Sequence, residues 1–214
     1  MIIAEDTTLV FIGDSITDCG RERPARLGMD PGNGYVACIQ SLLAAGCPER
    51  KLQILNTGIS GNRVPDLEAR WKPDVLDLRP DWLSVMIGIN DVWRQFDRPM
   101  IEDQVRIDRF EAIYRKLLEN TRPRLKGLVI MSPYLIEPAK TDPMRARMDD
   151  YGSVTKKLAS EFDAVFVDVQ SAFDRYLEHR DASTLATDRI HPNLTGHMII
   201  ATAFLQAIGF SLTQ

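Results

Sequence analysis

Thr8-Leu9-Val10-Phe11-Ile12 runs directly into Gly13-Asp14-Ser15-Ile16-Thr17-Asp18. The first five residues are apolar or β-branched without alternation, the pattern of a strand buried on both faces of a parallel sheet. Gly13 permits a tight turn after it. A serine on such a strand-to-helix turn has its hydroxyl exposed at the sheet edge. Its own N–H falls in a first helical turn, where amides have no intrahelical partner.

Four more runs of the same kind follow, at 52–55, 82–87, 127–131 and 164–167. Between them the spacing predicts helices over 35–45, 65–78, 102–121, 144–162 and 193–208. In 102–121, Ile107, Phe110, Ile113, Tyr114, Leu117 and Leu118 recur at three- and four-residue intervals, one apolar helical face. Pro65 stands in a first turn, and Pro192 is placed to open the last helix. Strands alternating with helices predict an α/β fold, five parallel strands with helices on both faces, as one domain over residues 1–214. The least regular stretches are 21–33, 92–101 and 132–143. The last two follow predicted strands, where open α/β sheets hold their ligands.

The 214 residues are 44% hydrophobic and 26% charged, with a net charge of −4. Basic residues interleave with acids, as in Arg21-Glu22-Arg23, and form no phosphate-binding cluster, so no nucleic-acid partner is expected. The N-terminus has neither a basic n-region nor a long apolar h-region, and the apolar run 9–12 is too short to span a membrane. No membrane partner is expected. Cys19, Cys38 and Cys47 are odd in number and lack zinc-ligand spacing, which predicts reduced thiols and a cytoplasmic chain.

Three further motifs stand beside the Ser15 turn. Asn56-Thr57-Gly58-Ile59-Ser60-Gly61-Asn62 follows the second strand, and its glycines let backbone approach a substrate and aim an N–H at it. Gly88-Ile89-Asn90-Asp91 follows the third; the Asn90 amide is a neutral double donor suited to a developing oxyanion. Asp188-Arg189-Ile190-His191-Pro192 places a carboxylate three residues before a histidine. A serine hydroxyl needs a base, and the base an orienting partner. Of three histidines, His179 lies in a charged surface stretch and His197 inside a predicted helix, which leaves His191 as base and Asp188 as its partner. Asp14 and Asp18 read as turn or cap residues and Asp91 as a loop anchor. A metal site from Asp14, Asp188 and His191 lacks a compact ligand motif.

Taken in order, these blocks resemble the SGNH, or GDSL-type, serine hydrolases, with Ser15, Gly61, Asn90 and His191 in the four named places. The strings from Phe11 to Arg21 and from Met86 to Gln95 are similar to the intracellular acetylxylan esterases within that family. Ile16 stands where the GDSL name has Leu. The resemblance implies a flavodoxin-like three-layer αβα sandwich and no metal or other cofactor. It implies an acyl-enzyme mechanism with catalytic Ser15, Asp188 and His191, and an oxyanion hole from the N–H groups of Ser15 and Gly61 and the side chain of Asn90. Activity should then fall on acidification as His191 takes up a proton. The substrate implied is a small ester, an acetylated oligosaccharide, with self-association as a family-level expectation. Trp93, Phe96 and Tyr134 are candidate substrate-binding rings, with core or subunit contacts as the alternative. Competing readings are a short-chain esterase or lysophospholipase-like thioesterase, and a nucleotide- or carbohydrate-binding module. For the nucleotide reading, Gly32-Asn33-Gly34-Tyr35-Val36-Ala37 matches G-x-G-x-x-A but follows a charged loop rather than a strand.

Overall fold

The computed structural model describes residues 1–100 and 102–211. Five strands form one sheet: β1 (Thr8–Gly13), β2 (Gln53–Asn56), β3 (Trp82–Met86), β4 (Gly127–Met131) and β5 (Val165–Val167). Their order is β2-β1-β3-β4-β5, and every pairing is parallel. Leu9, Val10, Phe11 and Ile12 are wholly buried, and every residue of β3 and β4 is buried. Both faces of the central strands are covered, which is why their sequence does not alternate.

The helices are α1 (Ser15–Asp18), α2 (Tyr35–Gly46), α3 (Val64–Trp71), α4 (Ile89–Asp97), α5 (Ile107–Thr121), α6 (Pro143–Glu161), α7 (Val169–Leu177) and α8 (Leu194–Ala207). One group packs α2 and α7 on α8; the other joins α3 to α5, α5 to α6, and α6 to α4. The result is the three-layer α/β architecture expected from the strand and helix runs.

The winding order reverses between β1 and β3: β2 lies on one side, β4 and β5 on the other. That switch point leaves a crevice at the carboxyl ends of β1 and β3. Gly13 closes the β1 ladder opposite Met86. A Cβ on Gly13 would stand 2.4 Å from the Met86 carbonyl oxygen and 2.3 Å from Thr17 Oγ1. Its φ is not positive. The requirement at Gly13 is therefore close approach, not the conformational freedom the sequence suggested.

Several elements depart from the expected pattern. The stretch 92–101 is not irregular at its start, because α4 runs to Asp97 and carries Trp93 and Phe96; Ile101 lies outside the described residues. The buried side of α4 is Ile89, Asn90, Asp91 and Val92, and two polar residues there hide the apolar stripe of a helix. Helix α5 starts at Ile107 rather than 102, because Val105 is buried in extended chain and its carbonyl accepts from Tyr151 Oη at 2.7 Å. The predicted helix 65–78 breaks at Lys72 into a π-helical turn, Lys72–Leu76. Pro73 lacks an N–H to continue the α-helical ladder. Helix α7 was not anticipated. Finally, α8 is capped by Asn193, whose Oδ1 accepts from the Gly196 N–H, so Pro192 precedes the helix instead of opening it.

Candidate active site

The site assembles where β1, β3 and the loop before α8 meet. Ser15 begins α1, and Asp14 caps that helix through Oδ1, which accepts from the Ile16 N–H at 3.0 Å. Ser15 Oγ lies 2.8 Å from His191 Nε2. His191 Nδ1 lies 2.6 Å from Asp188 Oδ2. The other carboxylate oxygen, Asp188 Oδ1, accepts from the backbone N–H groups of Ile190 (3.0 Å) and His191 (2.8 Å). Burial alone would raise the Asp188 pKa. The bonds from the His191 ring and from these two amides outweigh it and hold the carboxyl below its ordinary value. An ionised Asp188 can only accept, so Nδ1 carries the ring proton and Nε2 is left to take one from Ser15.

The loop that carries the imidazole is anchored from the β4–α6 connection. Tyr134 Oη donates to the Ile190 carbonyl at 2.9 Å, and the Ile136 N–H donates to the Arg189 carbonyl at 2.9 Å. Arg189, at φ +66°, reaches Glu137 and Asp142 at 3.0 and 3.1 Å. Tyr134 is wholly buried, so its ring cannot stack on a ligand at the surface. The substrate-binding expectation for Tyr134 is corrected: it holds the His191 loop from inside the core. Trp93 does reach the site, with its ring centroid 6.0 Å from that of His191 in an edge-on contact. Phe96 is exposed one turn further along α4.

Asn90 is buried, and its Nδ2 donates to the Asn62 carbonyl at 3.1 Å. A carbonyl only accepts, which fixes the amide orientation, and Arg94 lies 3.5 Å from Oδ1 on the other side. Among the described residues the other Nδ2 hydrogen has no acceptor, which leaves it for a ligand. Gly61 sits at φ +83° with nothing within 4 Å of where a Cβ would be, so backbone conformation, not space, calls for glycine there. Gly58 differs: a Cβ on it would meet the Asp18 amide nitrogen at 2.3 Å. Its smallness lets two backbones pack together and does not serve a substrate. Neither the Ser15 nor the Gly61 N–H donates to a protein acceptor among the described residues.

Two buried carboxyls lie behind these groups. Asp14 and Asp91 each use Oδ1 to accept a backbone amide, from Ile16 and Val64, and leave Oδ2 without a partner among the described residues. Burial pushes both up to about 7, and the nearby Asp14 charge adds to the shift at Asp91. Each is partly a neutral acid near neutrality, which limits negative charge where an oxyanion would grow. Both keep the cap and anchor places read for them in the sequence. Among the described residues no three His, Cys, Asp or Glu side chains are gathered as metal ligands.

His197 is structural in its contacts. The Tyr35 N–H donates to Nδ1 at 3.2 Å, so the proton sits on Nε2, which faces Cys19 Sγ at 3.4 Å. Burial lowers its pKa to about 4. The unfolded chain binds a proton at this residue below about 6.5, whereas the folded chain resists it down to about 4. Stability from His197 is therefore complete above that upper value and lost as pH falls through the window, by roughly 3 kcal/mol. Thermal midpoints measured from pH 7 to 4 should fall less steeply in His197→Gln than in the native chain. Equal slopes would contradict the assignment.

A parallel α/β sheet that presents a serine hydroxyl, an imidazole and a carboxylate in line, beside unpartnered amide donors, is the framework of a carboxylic-ester hydrolase. The chain belongs to the GDSL-like lipase/acylhydrolase family, whose profile matches residues 11–199. It is 51% identical over 213 residues to an acetylxylan esterase of Geobacillus stearothermophilus, a match spanning 98% of this chain and 97% of the relative. The crystal structure of Axe2, an acetylxylan esterase from that organism, superposes with a TM-score of 0.98 at 49% identity, over 100% of this chain and 99% of the other. LAE5, an alpha/beta hydrolase from a Lake Arreo metagenome, gives a TM-score of 0.96 at 50% identity over 98% of each chain. Three Axe2 structures are of catalytic mutants in which a Ser, a His and an Asp are replaced by Ala, the Asp and His three positions apart.

Asn62, Arg70 and the Asp18–Ser60 contact also shape the site and were not anticipated. Arg70 and Asp74 look in sequence like a solvated i,i+4 helix pair. Nothing local marks them otherwise.

Proposed function

We propose that the chain is a serine esterase that removes acetyl groups from carbohydrate, with acetylated xylo-oligosaccharides as its substrate class. The observation that carries this reading is the unbroken path Ser15 Oγ–His191 Nε2 (2.8 Å) and His191 Nδ1–Asp188 Oδ2 (2.6 Å). Ser15 Oγ attacks the ester carbonyl carbon while its proton passes to His191 Nε2. The carbonyl π electrons move to oxygen, and that oxyanion is held by the N–H groups of Ser15 and Gly61 and by Asn90 Nδ2. Its collapse breaks the C–O bond to the sugar, and His191 returns the proton to the departing alkoxide. Water then attacks the acetyl-enzyme with His191 again as base, releasing acetate and restoring Ser15. Asp188 holds the ring and stabilises its cation throughout.

The catalytic substitutions in Axe2 support the same three roles. The His191 and Asp188 side chains are 44% and 38% exposed, so an ester can be presented from outside on a bulky sugar. Trp93, beside His191, is the ring best placed to meet that sugar, with Phe96 further out. Cys19, Cys38 and Cys47 are all free, in keeping with a reducing compartment. No described helix is long and apolar enough to cross a membrane.

Acetate release from acetylated xylo-oligosaccharides, run beside 4-nitrophenyl acetate, butyrate and octanoate, tests the substrate class. Acetyl should exceed octanoyl by at least about 10-fold in kcat/KM, because each surplus methylene in a site shaped for acetyl is penalised. Preference for octanoate, or no acetate from the oligosaccharide, would sink it.

A further inference from the structure

We infer that Arg70 is the positioning residue that holds the three oxyanion donors in mutual register. This rests on the esterase reading above. Arg70 stands on α3, and its guanidinium binds the backbone leading to Ser15 and the loop that carries Gly61, and reaches Asn90 through Asn62. Its Nη2 donates to the Gly13 carbonyl at 3.0 Å, at the end of β1 and two residues before Ser15. Its Nη1 donates to the Thr57 carbonyl at 2.6 Å, where the loop carrying Gly61 leaves β2. Nε donates to Asn62 Oδ1 at 2.6 Å, and the backbone carbonyl of that same Asn62 accepts from Asn90 Nδ2 at 3.1 Å.

Gly61 is thus held from both sides. On one side Asp18 Oδ2 accepts from Ser60 N (3.0 Å) and Ser60 Oγ (2.9 Å), tying the loop to α1. On the other, Arg70 holds Asn62. The glycine between them has open space around it and a left-handed backbone that side-chain packing does not fix. Its N–H direction is set by its neighbours. A planar group with five donors in a fixed fork can satisfy three acceptors at once, one at the end of β1 and two along the loop after β2; a lysine ammonium on a flexible stem cannot hold the same directions.

The alternative is an ordinary i,i+4 ion pair with Asp74, which Arg70 also makes at 2.6 Å. Only one of its four bonds goes there. The side chain is 13% exposed, and its other three bonds end on the loops of the site.

Arg70→Lys, Asp74→Asn, Asn62→Ala and Asn90→Ala, with Arg70→Lys and Asn62→Ala each also combined with Asn90→Ala, are compared on 4-nitrophenyl acetate. Arg70→Lys should lower kcat by about 10- to 100-fold with KM within about twofold, the signature of misplaced transition-state donors. In the Asn90→Ala background the same change should cost at least about 3-fold less than it does in the native chain, because groups acting as a unit are not additive. Asp74→Asn should keep kcat within about twofold, whatever it does to the melting temperature. If Arg70→Lys does not fold, Asn62→Ala removes the Nε acceptor alone and should show the same kcat loss and the same non-additivity. Retention of kcat in Arg70→Lys, or in Asn62→Ala where that variant stands in for it, overturns the inference. So do equal fold-losses in the two backgrounds, and so does a loss in Asp74→Asn matching that in Arg70→Lys. The esterase reading fails separately, by full activity in Ser15→Ala.

Discussion

Ser15→Ala lowers ester hydrolysis by at least about 10⁴-fold and abolishes covalent labelling by a fluorophosphonate. Without Oγ no acyl-enzyme forms, and His191 can only assist a water that nothing holds in line. The oxyanion donors remain, so a residue of activity above the uncatalysed rate is expected. The variant should melt within about 2 °C of the native chain, because the deleted group is one hydroxyl on a half-buried residue at the start of α1, outside the packed core. Intact-mass measurement after labelling, with hydrolysis rates and melting temperatures on the same samples, reads all three outcomes. Native-like turnover would remove Ser15 from the chemistry.

Asn90→Ala lowers kcat by about 10²–10³-fold, equivalent to about 2.7–4 kcal/mol of barrier, with little change in KM. The loss falls on kcat because charge on the carbonyl oxygen develops fully only in the transition state. A stability effect accompanies it. Asn90 is buried and its Nδ2 satisfies the Asn62 carbonyl, so the variant leaves that acceptor unpaired at a cost of about 1 kcal/mol. Asn90→Asp should be at least as inactive, since it sets a carboxyl where the oxyanion must form, next to the already buried Asp91. Steady-state kinetics separate the outcomes. A raised KM at unchanged kcat would assign Asn90 to ground-state binding instead.

The relation between chain and site is uneven for physical reasons. Ser15, Asn90, Asp188 and His191 were legible because each stands at a strand end or a tight loop in a short motif, and because histidines are scarce. Asp188 and His191 are three residues apart, so their contact is almost a local property. For Tyr134 the sequence left ligand contact and core both open, because a ring following a strand end can point outward or inward, and only packing decides which. Helix α4 was missed because its buried face is polar where it meets the site. Arg70 was invisible because the Gly13, Thr57 and Asn62 acceptors lie 57, 13 and 8 positions away along the chain.

By itself, then, the amino-acid sequence determined the layered parallel architecture and marked the candidate reacting groups. Continuous apolar runs can be satisfied only by strands covered on both faces, and acyl transfer demands particular side chains. Only the tertiary structure decided how those groups are aimed. The Ser15–His191 distance, the one free hydrogen of Asn90 and the direction of the Gly61 amide depend on buried bonds between segments remote in sequence. Those bonds exist only once β1, β2 and β3 have brought their carboxyl ends together.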